Sequence, residues 1–377
     1  MPTTIYAGKG AFNYLGAEVK KRSVQKTFLV TDKGLMATGL PDRVKGALEE
    51  MGVDVFLFDE AEPEPSMDNL EKAISILRNN DCDFVVAVGG GSAMDVAKAS
   101  AVLAGNDGEI KDYVGTDLIP RPGIPCIVLP TTAGTGSEVT KITIFLDKSD
   151  GVKKGIVSEH ILPKVAIVDP DLTLSLPPAM TAATGMDALT HAIEAYTSPN
   201  ATPHTDLYAI ESIRLIGQNL RRAYAFGTDD AARYNMCLGS LYAGIAFANA
   251  GVAAVHALAY PLGGRYHVGH GIANAMLLPF VMEFNAIGEL DKFANVAKLL
   301  GVSPADKSVR ELAFAGVQAV KDLSADIGIS SQIRTLGVAE EDIDSLSEAA
   351  ILIERLLANN PRKVTVDDIK MIYKNAF

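Results

Sequence analysis

Phe84-Val85-Val86-Ala87-Val88 is apolar at every position and runs straight into Gly89-Gly90-Gly91. A strand with no polar alternation has no face to give to water, so it belongs inside a sheet covered on both sides, which is the condition of a parallel sheet. Parallel strands need long crossovers, and the flanking sequence has them. Short β-branched or aromatic runs at 27–31, 53–58 and 126–129 alternate with helical stretches. That alternation predicts βαβ units and a doubly wound sheet. Runs at 140–146 and 164–168 are read as the strands that close it.

Beyond Asp169-Pro170-Asp171-Leu172 and the Pro177-Pro178 pair the pattern changes. Residues 181–197, 206–220, 231–249 and 311–327 have helical spacing and helix-forming composition, with no strand signal between them. The expected architecture is therefore an α/β nucleotide-binding domain with a doubly wound parallel sheet over 1–177, then an all-α domain over 178–377. The proline-rich segment is the boundary. A chain of 377 residues exceeds what one core usually serves. The stretch 238–264 is apolar enough to raise a membrane span, but Asn249 and His256 interrupt it, and it is read as a buried helix pair.

A formal charge of −12 excludes a protein whose main business is binding phosphate backbones. Cys82, Cys126 and Cys237 are widely spaced and form no Cys-x-x-Cys pair, which predicts reduced, core-filling thiols in a cytoplasmic protein. The start Met1-Pro2-Thr3-Thr4-Ile5-Tyr6-Ala7-Gly8-Lys9 lacks a basic opening and an apolar run, so no export and no membrane partner are expected.

The glycine triplet leads through Ser92, Ala93, Met94 and Asp95 into a helix read over 96–103. Glycines let the backbone approach a pyrophosphate, and a helix start offers unpaired N–H groups and the positive end of its dipole. Ser92 and Asp95 can add contacts. The motif is not the Gly-x-Gly-x-x-Gly of the first strand in an ordinary dinucleotide fold. A second polar loop, Pro130-Thr131-Thr132-Ala133-Gly134-Thr135-Gly136-Ser137-Glu138, follows the run at 126–129. Asp32, just past the run at 27–31, can accept from ribose hydroxyls and would repel a 2′-phosphate, favouring NAD over NADP. A helix cap is the alternative role for that carboxylate.

Asp187 and His191 are four residues apart, hence on one helical face. His256, His267 and His270 fall within fifteen residues of one another, so four of the chain's six histidines lie in these two segments. One carboxylate with three imidazoles suits Fe²⁺ or Zn²⁺ and leaves room for a substrate oxygen. His160 and His204 have no such company and are read as surface residues.

With these residues in view, the chain resembles the iron-containing (group III) alcohol dehydrogenases over essentially its whole length. The resemblance rests on residues 89–95, 130–138, 185–196 and 256–279, the last containing His267-Val268-Gly269-His270-Gly271-Ile272-Ala273-Asn274-Ala275. It implies a dehydroquinate synthase-like architecture, a cleft between the domains, and a metal, Fe²⁺ or Zn²⁺, on Asp187, His191, His256 and His270. It implies that Asp32, Gly90, Gly91, Ser92, Asp95, Thr131, Thr132, Thr135 and Leu172 line NAD, with Lys153 near its ribose. A homo-oligomer, dimer or larger, is implied by the resemblance alone. The chain departs from the family at Tyr260, where several members have a second histidine near the substrate.

The expected reaction is hydride transfer between a small primary alcohol or diol, or the matching aldehyde, and NAD(H), with Lewis-acid polarisation of the substrate oxygen. His267, three residues before His270, is the candidate for passing a proton to solvent, with orientation of the ligands as its alternative role. The rivals are a glycerol dehydrogenase-like polyol oxidase, a dehydroquinate synthase-like lyase and a non-catalytic assembly protein. The lyase needs several basic residues for an acidic, phosphorylated substrate, and the metal-bearing segments offer only Arg265.

Overall fold

The computed structural model describes residues 3–149 and 151–377; Met1 and Pro2, which open the amino-terminal stretch read above, and Asp150 lie outside the described residues. The chain divides into two compact units. One comprises residues up to Thr132 together with Gly136–Ser175, and the other Ala133–Thr135 together with Leu176–Phe377.

In the first unit the strands are β1 (Thr4–Ala7), β2 (Lys26–Val30), β3 (Asp54–Phe58), β4 (Phe84–Gly89), β5 (Gly115–Thr116), β6 (Cys126–Pro130), β7 (Ile142–Asp147), β8 (Val152–Val157) and β9 (Val165–Val168). Six form one sheet in the order β1-β9-β6-β4-β2-β3. Every pairing in it is parallel. β4 is central and buried along its whole length, as its unbroken apolar run requires. Leu29, Val86, Val88, Ile127, Leu129 and Ile167 share one core with Leu15, Val44 and Leu48 from the crossover helices. Each such side chain contributes about 1.5–3 kcal/mol on burial.

The strand order fixes where a ligand is received. From β2 the chain moves outward to β3, then returns to the other side of β2 as β4. Crossovers leaving two neighbours in opposite directions open a crevice at their carboxyl ends. Asp32 follows one of these strands and the glycine triplet ends the other. The unconventional place of the triplet in the sequence is thereby explained: it is late in the chain but central in the sheet.

Two sequence expectations need correction, and three strands went unread. The run at 140–146 does not close the main sheet; β7 pairs antiparallel with β8 in a separate sheet ordered β5-β8-β7. Its burial alternates along the strand, the habit of a sheet with one wet face. The strands β1, β5 and β8 have no apolar run to betray them; β8 reads Val152-Lys153-Lys154-Gly155-Ile156-Val157. Finally, the helix after the glycine triplet spans Gly91–Leu103 and so starts five residues earlier than 96, with extended Gly90 as its N-cap.

The second unit is helical, with no strand among the described residues. Its larger helices are Pro178–Thr197, Pro203–Ala225, Asp230–Ala250, Ala254–Tyr266, His270–Asn285, Leu290–Leu299, Val309–Asp326 and Val366–Ala376. Side chains of Thr202, Asp229 and Ser308 cap the helices they precede by accepting from backbone amides three residues on. The apolar stretch at 238–264 is two helices bent by 103°. The bend follows Gly251, whose φ of 81° favours glycine. A different segment, His270–Gly288, has the length and composition to cross a membrane, and 67% of it is buried inside the fold.

Candidate active site

The helix Pro178–Thr197 is buried at every position from Gly185 to Thr197, including the polar Asp187, Thr190, His191 and Glu194. Thr190 returns its hydroxyl to the Met186 carbonyl and needs nothing else. Asp187, His191 and Glu194 project at helical spacing and find their partners on the two helices after the 103° bend. His256 lies in the first turn of Ala254–Tyr266, and His270 opens His270–Asn285. His267, with a left-handed φ of 53°, turns the chain between them.

These helices bring one donor atom from each of Asp187, His191, His256 and His270 within 4.8 Å of one another. From Asp187 Oδ1 the Nε2 atoms of His270, His191 and His256 stand at 3.8, 3.9 and 4.0 Å. Metal–ligand bonds of about 2.1 Å would set tetrahedral donors roughly 3.4 Å apart, so these three spacings need to contract by only about half an ångström. Oxygen and imidazole are the donor types that first-row dications accept.

The protonation of the cage is set by what stands behind it. His191 Nδ1 lies 3.3 Å from the Gly134 carbonyl, which only accepts, so Nδ1 carries the proton and Nε2 is left with its lone pair. His256 Nδ1 lies 2.6 Å from Glu194 Oε2 with the same consequence. The His191 ring is sandwiched by stacking on Phe247 at 4.4 Å and on His256 at 4.8 Å between centroids. Burial, offset in part by Asp187, pushes the His191 imidazole down to about 4. Burial pushes the Asp187 carboxyl up, but His191, His270 and His256 and the Asn274 amide outweigh it and hold it below the ordinary carboxylate value. A His191 ring kept neutral, with its Nε2 lone pair turned toward the Asp187 carboxylate, is the form that can donate to a cation. Asp187, His191 and His256 are buried, while the side chain of His270 is 35% exposed and marks the accessible side. The ring of Tyr260 is 5.9 Å from that of His270.

Two residues of the cage escaped the sequence reading. Asn274 Nδ2 donates to Asp187 Oδ1 at 2.7 Å and lies 3.2 and 3.1 Å from the Nε2 atoms of His256 and His270. Its Oδ1 is buried without a partner among the described residues. Two amide hydrogens thus face three converging acceptors, so this point has more acceptors than donors. The signal was present as a second i, i+4 pair, His270 and Asn274. Glu194 is the other, three residues after His191. His267 is exposed and stands outside the group of converging donors. Arg265 is bound to Asp342 and Ser345. His160 and His204 are exposed.

In the first unit, the Gly91–Leu103 helix begins with no side-chain cap, so its first amides have no such partner. A β-carbon on Gly90 would stand 3.3 Å from Thr132 Cγ2, and Thr132 Oγ1 is buried without a partner among the described residues. Thr131 donates its backbone N–H to Gly89 and joins the two loops. Asp32 divides its carboxylate: Oδ1 caps the next helix through Leu35 N at 2.9 Å, and Oδ2 lies 3.7 Å from where a Gly89 β-carbon would be. Ser92 donates to the Pro63 carbonyl, and Leu172 is packed into the sheet core. Lys153 pairs with Glu64 at 2.6 Å and Lys154 with Asp147 at 2.8 Å.

Asp95 is turned inward, accepting from Ser137 Oγ at 2.6 Å and from Ile144 N at 3.1 Å. Beside it Lys98, with a fully buried side chain, donates to the Ser137 and Ile142 carbonyls and to Ser137 Oγ. The pair fastens residues 137–144 to the helix. Burial pushes the Asp95 carboxyl up and the Lys98 ammonium down, each partly restored by the other, and pushes Glu138 up to about 7. The lone lysine in Val96-Ala97-Lys98-Ala99-Ser100 was the available hint. Thr135 sits in the short 133–135 segment of the helical unit, next to the Gly134 whose carbonyl orients His191.

Both halves match one family: the iron-containing alcohol dehydrogenase profile covers residues 2–170, and the profile of the carboxyl-terminal part of the Fe-containing alcohol dehydrogenase family covers 181–377. Long-chain-alcohol dehydrogenase 1 of Geobacillus thermodenitrificans is 43% identical over 100% of this chain and 95% of its own. The NAD-dependent methanol dehydrogenase of Bacillus methanolicus is 39% identical over 100% and 98%. The crystal structure of a 1,3-propanediol oxidoreductase superposes with a TM-score of 0.97 at 42% identity, covering 100% of this chain and 98% of that one. The chain belongs to the iron-containing alcohol dehydrogenase family, as its resemblance implied. It is an oxidoreductase of alcohols and aldehydes.

Proposed function

We propose that Asp187, His191, His256 and His270 together hold one divalent ion, iron in the cell, and that NAD binds along the loops after β2, β4 and β6. The reading is carried by four donor atoms, brought from three helices to within 4.8 Å of one another. A bound dication supplies Lewis-acid polarisation of the substrate oxygen, and NAD supplies the hydride acceptor. The side chains do the rest. Asp187 brings the negative charge, while His191 and His256 present Nε2 because their Nδ1 protons are engaged elsewhere. Substrate approaches on the His270 side, where Tyr260 borders it. His267, exposed to solvent, takes the proton away.

Gly90, Gly91, Thr131, Thr132 and Thr135 contact the cofactor directly, with Asp32 on the ribose favouring NAD over NADP. Ser92, Asp95 and Leu172 act through the packing just described, and Lys153 reaches the ribose from its pair with Glu64. The division at the proline-rich segment, 1–177 and 178–377, separates the cofactor domain from the metal domain. Relatives that act on methanol, long-chain alcohols and 1,3-propanediol support a primary alcohol or diol as the substrate class. The protein works in the cytoplasm as a homo-oligomer; its three buried, free thiols suit a reducing compartment. The test is metal analysis of protein purified without oxygen, paired with NADH formation from short alcohols and 1,3-diols in the presence of Fe²⁺. Asp187→Asn should lose both metal and turnover. Silence across the alcohols and the matching aldehydes would remove the proposal.

A further inference from the structure

Glu194 is a buried carboxylate with three donors on it. Oε2 accepts from Ala253 N at 2.8 Å and from His256 Nδ1 at 2.6 Å, and Oε1 accepts from Val255 N at 2.6 Å. Its side chain is 5% exposed. Three donors converging on two carboxylate oxygens fix the side chain in one orientation. They also tie it to the bend between Asp230–Ala250 and Ala254–Tyr266, the turn that decides where His256 points. None of these bonds satisfies a need of its own helix.

We propose that Glu194 is a positioning residue for the metal cage, fixing the His256 ring with Nε2 toward the ion and supplying the second negative charge that balances a dication there. This rests on the metal reading given above. Asp187 alone leaves a bound dication with one uncompensated charge among neutral imidazoles and apolar walls, a costly state in a low-dielectric interior. Glu194 removes that imbalance through the His256 ring and raises the basicity of Nε2 in doing so. Ala253 N and Val255 N aim the carboxylate, so the orientation of the ring is set before any ion is bound.

The test is Co²⁺ titration of metal-free protein in a double-mutant cycle of Glu194→Gln and His256→Ala. Glutamine keeps the shape but removes the charge and turns an N–H₂ group toward groups that already donate. Affinity should fall about 10–100-fold in the parent protein, the usual cost of losing an outer partner of a metal-bound histidine. With His256 absent, the same change should cost less than about threefold, since its route to the ion is gone. The visible absorption of bound Co²⁺ should change with Glu194→Gln as His256 leaves its place. Equal losses in both backgrounds mean a purely structural role and overturn the proposal; so does an unchanged affinity in the parent. If Glu194→Gln fails to fold, Glu194→Asp carries the same cycle, because it keeps the charge but withdraws it from the ring. Parent protein that takes up no Co²⁺ sinks the metal reading and this proposal together, whereas tight uptake by both parent and variant sinks this proposal alone.

Discussion

Gly271→Ala puts one methyl group at the joint of the cage. A β-carbon there would stand 2.4 Å from the Ala183 carbonyl oxygen and 2.9 Å from its carbon, both backbone atoms of the helix that carries Asp187 and His191. Ordinary contact begins near 3.4 Å, so the two helices must part by about 1 Å. No flexible side chain is available to yield, and overpacking of this kind costs about 1–3 kcal/mol. Helix propensity alone argues the other way, favouring alanine by up to about 1 kcal/mol. The clash wins because it falls on backbone. Gly271 adjoins His270, so the displacement is delivered to a ligand whose bond length tolerates only about 0.2 Å. Misplacement by about 1 Å at a reacting centre costs roughly 100-fold in turnover. The assays are metal content after dialysis against a chelator, NADH formation, and the denaturant midpoint of the metal-free form. A variant that is more stable than the parent and retains its metal as firmly would refute the reasoning.

Three further outcomes are expected. In metal-free protein the depressed imidazole of His191 makes the fold favour the neutral ring; its contribution is whole above pH 6.5 and disappears as pH falls toward about 4, a loss of about 3 kcal/mol that bound metal should shift to lower pH. Urea midpoints across that range, with and without metal, check the sign; equal pH profiles would contradict it. Lys98→Met leaves the half-buried Asp95 without its cation and should cost up to about 3 kcal/mol in unfolding free energy, and a midpoint matching the parent would show that the pair carries no net stability. Gly90→Val fills the space beside Thr132 and should weaken NAD binding at least about tenfold by calorimetry with metal content intact; undiminished affinity would place the cofactor elsewhere.

Much of the site was readable along the chain because local spacing encodes it. Asp187 and His191 share a helical face at four residues' separation, and the unbroken run 84–88 announced a strand buried on both sides. Readings failed where context decides. β7 had an apolar run but joined the smaller sheet. β8, with Lys153 and Lys154 in its middle, has no intrinsic signal, and its partner makes it a strand. Asp32 takes the helix-cap role that its position suggested, through Leu35 N, with Oδ2 left on the side of Gly89.

Residue type and periodicity thus determined that the chain would be α/β and then helical, that glycines would end a central strand, and which side chains had the chemistry to hold a cation. The fold alone decided that Asp187 and His191 meet His256 and His270 across two helix boundaries, and that His191 and His256 turn Nε2 inward. Only the fold put Glu194 and Asn274 behind them. Local sequence fixes which face of a helix a side chain occupies, because that depends on a repeat of 3.6 residues. What stands opposite that face depends on the bend after Gly251 and on close packing between distant segments, which no local repeat records.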